Sequence, residues 1–141
     1  MEDQGFRIQD SGFGKNMRFE DLQAWKKARE LTNAVYRICR EKPLSVDFGL
    51  RDQIQRAAVS SMNNVAEGFE RHGKQEKWHF YNIAKGSSGE VKSICYVILD
   101  NTLAPHAETT SIQLLAAETS ALIHGLMKST KPPESSLLKN P

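Results

Sequence analysis

Proline and glycine cut this chain into four pieces, and each piece carries apolar side chains at spacings of three and four. Such spacing gathers them on one face of an α-helix, so the chain is constrained to pack amphipathic helices against one another. The first piece runs from Glu20 or Asp21, acids suited to a helix N-terminus, to about Arg40, ahead of Pro43. Its apolar positions are Leu22, Trp25, Ala28, Leu31, Val35 and Ile38. The second runs from about Leu50 to Arg71, with Leu50, Ile54, Ala57, Ser61, Val65 and Phe69 on one face, and Gly73 stops it. The third spans about Gln75 to Asn101, with Phe80, Ala84, Ser87, Val91, Ile94 and Ile98 as its seam. Gly86 and Gly89 in its middle cost helix propensity, so close helix contact is expected there. After Pro105, Thr110 and Gln113 resemble a capping box opening a fourth helix to about Lys128, with Ile112, Leu115, Thr119, Leu122 and Leu126 inward.

No segment alternates apolar and polar residues strictly, and no tight Asn-Gly type turn joins two candidates, so strands are not expected. Helices of this length joined by short connections predict an all-α, antiparallel up-and-down four-helix bundle. Leu22, Trp25, Val35, Ile54, Val65, Phe80, Val91, Ile98, Leu115 and Leu122 are expected in or near its core. The 141 residues suit one domain. Residues 1–16 read as a flexible leader, 17–130 as the bundle and 131–141 as a flexible tail; Met17 is a candidate start.

Apolar runs fall short of a bilayer span and the first residues lack the order of a secretory signal, so the chain is expected in the cytoplasm, without a membrane partner. Catalysis is not expected, nor a cofactor, a metal or a small-molecule substrate. His72 and His79, seven residues apart near one helix end, are not read as a metal site. Cys39 and Cys95 sit beside apolar seam positions and read as core thiols. Gly86 and Gly89 lie inside a helix, where they cannot form a phosphate-cradling loop.

The formal charge of +2 is too small to argue for nucleic acid by itself, but its distribution is uneven. Positive charge gathers on the first and third helices, whereas Asp100 to Met127 holds no Lys or Arg. On the first helix, Lys26, Arg29, Asn33, Arg37 and Arg40 share a sector of about 80° away from the apolar face. This basic stripe is either a solvated face or a contact for phosphates, which need charge but no exacting geometry. On the third, Lys74, Trp78, Tyr81, Lys85, Lys92 and Tyr96 share a flank. Lysines alternating with rings suit either unpaired bases or a subunit interface, and Trp78, Tyr81 and Tyr96 are read as interface first.

On the second helix, Gln53, Arg56, Ser60, Asn64, Glu67 and Arg71 form a polar stripe beside the apolar one. It is expected to be a structural network joining helices, reaching Ser87 and Glu90, with Arg56 and Glu67 each satisfying a partner.

The same segment carries a resemblance. Phe19, Asp21, Leu22, Trp25, Lys27 and Ala28, then Leu50, Gln53, Arg56, Ala57 and Ser60, then Asn64 to Gly68 with Phe69 and Arg71, and lastly Ala84, Gly86, Ser87 and Glu90 resemble the proteins encoded within intervening sequences of bacterial 23S ribosomal RNA genes, often labelled S23 ribosomal proteins. The sequence departs from that family at Met62, where proline is usual, and at Ser61 and Val65, where isoleucine is common. The resemblance implies a four-helix bundle assembling as a homopentamer. A related branch, the accessory protein of diversity-generating retroelements, associates with reverse transcriptase and nucleic acid. RNA or a reverse transcriptase is therefore the partner that the resemblance implies, and a purely structural or protein-interaction module is the alternative.

Overall fold

A computed structural model describes residues 16–130 of the chain. The expected tail, and the expected leader apart from Asn16, lie outside the described residues. The architecture is four helices: α1 (Gln23–Ile38), α2 (Phe48–Glu70), α3 (Lys74–Asp100) and α4 (His106–Thr130), with no strand among the described residues. Each helix packs on two neighbours, α1 on α2 and α4, and α3 on the same two. As α2 is followed from Gln53 through Ser60 to Gly68, its contacts on α3 descend from Glu90 through Ser87 to Tyr81. No helix among the described residues is long and apolar enough to cross a membrane.

Before α1 stands a 3-10 turn, Phe19–Asp21, held by the Arg18 N–H donating to the Asp21 carboxylate at 3.1 Å. The Phe19 ring meets Trp25 edge-on at 5.2 Å, fixing the angle at which the chain enters the helix. At the opposite end Leu44, fully buried, donates its N–H to the Leu103 carbonyl at 3.2 Å, which ties the α1–α2 and α3–α4 connections together. Asp47 then caps α2 by accepting from the Leu50 N–H. The helix runs unbroken through Met62, whose side chain packs against the core near Trp25 and Val65.

The core has two parts. One gathers Leu31, Val35, Ile54, Val91, Ile98 and Ile112; the other gathers Leu22, Trp25, Val65, Tyr81, Ile123 and Met127. Three expectations are corrected here. The α3 seam is Tyr81, Ala84, Ser88 and Val91, with Phe80 only half-buried beneath the Arg71 guanidinium and Ser87 half-buried at the edge. Gly86 and Gly89 are exposed, and a methyl group on either would meet nothing within 4 Å. The close approach is at Gly68 instead, where a methyl would lie 2.7 Å from Tyr81 Cε1, 2.8 Å from its Cδ1 and 3.2 Å from the Lys77 carbonyl oxygen. Lastly, α4 begins at His106, directly after Pro105, so Thr110 is inside the helix and its hydroxyl donates to the Ala107 carbonyl rather than capping.

The end of α3 holds a residue in an unfavourable conformation. The Thr102 N–H donates to Leu99 O at 3.2 Å and the Leu103 N–H to Ile98 O at 3.0 Å, the paired bonds that close a helix through a left-handed residue. That residue is Thr102, with φ of 53°, and its branched side chain makes the conformation costly where glycine is indifferent. Thr102→Gly is therefore expected to stabilise the fold by about 1 kcal/mol, raising the thermal midpoint by about 3 °C. A melt followed by circular dichroism checks this, and an unchanged or lower midpoint contradicts it.

Candidate functional site

Small residues let α2 and α3 lie close, and their contact is a ladder of hydroxyls. Ser61 and Ser88, both fully buried, place their oxygens 2.9 Å apart, and the Ser88 hydroxyl donates to the Ala84 carbonyl at 3.1 Å. Because Ser88 uses its proton there, Ser61 is the donor between the two. One step outward Ser60 and Ser87 repeat the pair at 2.8 Å, and the Asn64 amide donates to both the Ser60 carbonyl and hydroxyl. Gln53 Nε2 reaches Glu90 at 3.4 Å. Thr32 supplies the link to α1, its hydroxyl lying 2.8 Å from Ala28 O and 3.1 Å from Ala58 O.

The order of donors makes the inner pair asymmetric. Ser88→Ala leaves the Ser61 hydroxyl buried without its acceptor and is expected to cost about 1–3 kcal/mol. Ser61→Ala leaves the Ser88–Ala84 bond intact and is expected to cost less than about 1 kcal/mol. Urea unfolding of the two variants measures the difference; equal losses would contradict the donor order.

Arg71 and Glu67 form an ion pair one turn apart at the end of α2, and the Arg71 guanidinium also lies 4.9 Å from the Phe80 ring centre. The same helix end is closed from α3 by Lys77, whose ammonium donates to Phe69 O at 2.7 Å. Burial pushes the Lys77 pKa below its ordinary value, opposed by the nearby Glu70. Arg56 is a correction. It lies on the exposed side of α2, makes no hydrogen bond or ion pair among the described residues, and takes no part in the ladder. The carboxylate nearest in sequence, Asp52, is held by Arg51 at 3.0 Å, and Glu67 is held by Arg71.

Lys26, Arg29 and Arg37 on α1, and Arg40 in the turn just after it, are all exposed, and none forms an ion pair among the described residues. Lys27, beside them, is different: Glu30 at 3.4 Å and Glu118 at 3.6 Å hold its ammonium and raise its pKa, Glu30 most. Arg29 rests over Trp25, 5.6 Å from the ring centre. Arg37 and Arg40 border a groove between α1 and α4 that Glu30, Glu41 and Glu108 also line, so acids offset this end of the stripe.

The α3 flank does not present three rings. Tyr81 is 3% exposed, its ring lying against Gly68, and burial pushes its hydroxyl up to about 12. It is a core residue and is withdrawn from the expected interface. Trp78 is half-buried against the same core, and Tyr96 alone stands out, beside the exposed Val97.

Burial also pushes the thiols up, Cys39 to about 11 and Cys95 to about 12, so both are protonated at neutral pH. No group of three or more His, Cys, Asp or Glu that could hold a metal occurs among the described residues.

A family model described as 23S rRNA-intervening sequence protein matches residues 20–125, from the turn before α1 to the last third of α4. The chain belongs to that family. No curated protein matches it. In this member of the 23S rRNA-intervening sequence proteins, Ser61 finds its partner in Ser88, and Met62 lies inside an uninterrupted helix with an amide proton that a proline there would lack. Sequence reasoning missed one residue of the stripe's own face. Tyr36 stands seven residues after Arg29 and four before Arg40, on the same side of α1, and is exposed. The heptad spacing was the available signal.

Proposed function

We propose that this protein is a non-catalytic adaptor that associates with RNA through the basic face of α1, working as a homo-oligomer of antiparallel up-and-down four-helix bundles. The observation that carries the reading is a set of four exposed cations, Lys26, Arg29 and Arg37 on one face of α1 and Arg40 in the turn just after it, with no acid paired to any of them among the described residues. Phosphate contacts require that arrangement and little else. The family's association with 23S rRNA genes supports RNA as the partner. The descending α3 contacts of α2 support the antiparallel order. A pentamer is the assembly the resemblance implies, and a ring would multiply the modest charge of each subunit. The buried thiols are held protonated, which fits core packing rather than a nucleophile's role for Cys39 and Cys95.

Fluorescence anisotropy with a labelled RNA tests this, with affinity expected to fall steeply as salt rises. Absence of binding even at low salt would overturn it. A second reading, a protein-interaction module, is favoured by Tyr96 and Val97, large exposed apolar side chains on the outside of α3. That module would assemble or capture a protein while ignoring RNA.

A further inference from the structure

Beside the basic face lies a shallow groove of about 600 Å³ between α1 and α2, lined by Tyr36, Asp52, Gln55, Arg56, Val59 and Ser60. Its walls combine features that the fold does not use for its own stability. The Tyr36 ring is 41% exposed, and Arg56 carries a guanidinium with no partner among the described residues. Other polar groups of the groove are already engaged: Asp52 by Arg51, through Nε and Nη2 each at 3.0 Å, and Ser60 by Ser87. The carboxylate therefore offers little repulsion to an anion, and the free charge of the groove is Arg56.

We propose that this groove holds one unpaired nucleotide of a single-stranded RNA, its base stacked on Tyr36 against Val59 and its phosphate on Arg56. This rests on the RNA reading above and adds to it a preference for single strands. A stacked base needs an aromatic face with a second apolar wall, and a neighbouring cation neutralises the phosphate. Duplex RNA keeps its bases stacked and paired, so it gains nothing from Tyr36. Position supports the pairing of groove and stripe, because Arg29, Asn33 and Tyr36 follow one another at spacings of four and three along α1, and Arg40 lies in the turn that follows. A strand tracking the stripe thus passes the mouth of the groove.

The test compares labelled oligoadenylate with an RNA duplex of equal length by anisotropy across a salt titration. Tyr36→Leu is expected to weaken oligoadenylate binding about tenfold with an unchanged salt slope, and to leave duplex binding as it was. Tyr36→Phe keeps the ring and is expected to bind like the parent. Arg56→Gln is expected to lower the salt slope on oligoadenylate by about 0.7. Tyr36 and Arg56 are both exposed, so the variants should retain parental helicity. Parental oligoadenylate binding by both Tyr36→Leu and Arg56→Gln, with the parent still binding RNA, would overturn the nucleotide groove and leave the adaptor reading standing. A parent that bound no RNA would overturn both.

Discussion

Gly68→Ala is expected to destabilise the bundle by about 2–3 kcal/mol, lowering its thermal midpoint by about 6–10 °C. The added methyl would lie 2.7 Å from a ring carbon of Tyr81 and 3.2 Å from the backbone oxygen of Lys77. Neither neighbour yields easily. Tyr81 is buried on the inner face of α3, and Lys77 O belongs to the first turn of that helix. Relief therefore requires α2 and α3 to separate, which would also stretch the serine pairs further along the same contact. A double-mutant cycle distinguishes this from a general effect of alanine on the helix. Tyr81→Leu alone leaves a void and should cost about 2–3 kcal/mol, but combined with Gly68→Ala it makes room for the methyl. The double variant should then be at least about 1 kcal/mol more stable than the two losses predict together, as read from urea unfolding. Additive losses would mean that the ring and the glycine do not set the distance between the helices.

This contact also shows where sequence stopped determining the fold. Phe80-Ala84-Ser87-Val91 and Tyr81-Ala84-Ser88-Val91 are both runs of three and four, and they share Ala84 and Val91. Helical periodicity alone cannot choose between them, because adjacent aromatic residues and adjacent serines stand at the positions that differ. The choice is made across the helix pair. Gly68 leaves a notch that receives the Tyr81 ring, and once Tyr81 faces inward Ser88 follows it to meet Ser61. Gly86 and Gly89 misled for a related reason: a glycine inside a helix signals a lost side chain, and nothing in the chain says whether the vacated space faces a helix or solvent.

Where a local rule sufficed, the sequence was enough. Helices α1 to α3 start and stop within about three residues of their expected positions, since Pro43, Gly73 and the apolar faces act on the chain nearby. The error at α4 came from ranking a capping box above Pro105, which fits the start of a helix because its missing amide proton would have no partner there anyway. Candidate binding residues were legible to the extent that they lie on one helix. The α1 stripe is visible in a helical projection, and its exposure follows from the apolar face opposite. Arg56 was not legible, because a helical projection places it on the polar stripe without saying whether a carboxylate of a neighbouring helix reaches it.

Replacing Lys26, Arg29, Arg37 and Arg40 together with glutamine is expected to weaken single-stranded RNA binding several hundredfold at about 0.1 M salt, and to flatten the salt dependence by about 3 logarithmic units per decade. The magnitude follows from counterion release. Each phosphate neutralised on a single strand contributes a slope of about 0.7, so four contacts per subunit give a slope near 3 and a comparable loss of affinity one decade below molar salt. Helicity should not change, because all four side chains are exposed and make no ion pair among the described residues. Glutamine keeps a long stem, so Trp25 loses only the charge now lying 5.6 Å from its ring centre. The four contributions should also differ. Arg37 and Arg40 border the groove that Glu41 and Glu108 also line, whose negative field lowers their worth to a phosphate. Arg29→Gln should therefore cost more affinity than Arg37→Gln, although both remove one charge. A quadruple variant that bound RNA as the parent does across the salt titration would reduce the stripe to a solvated face and end the case for α1 as the contact.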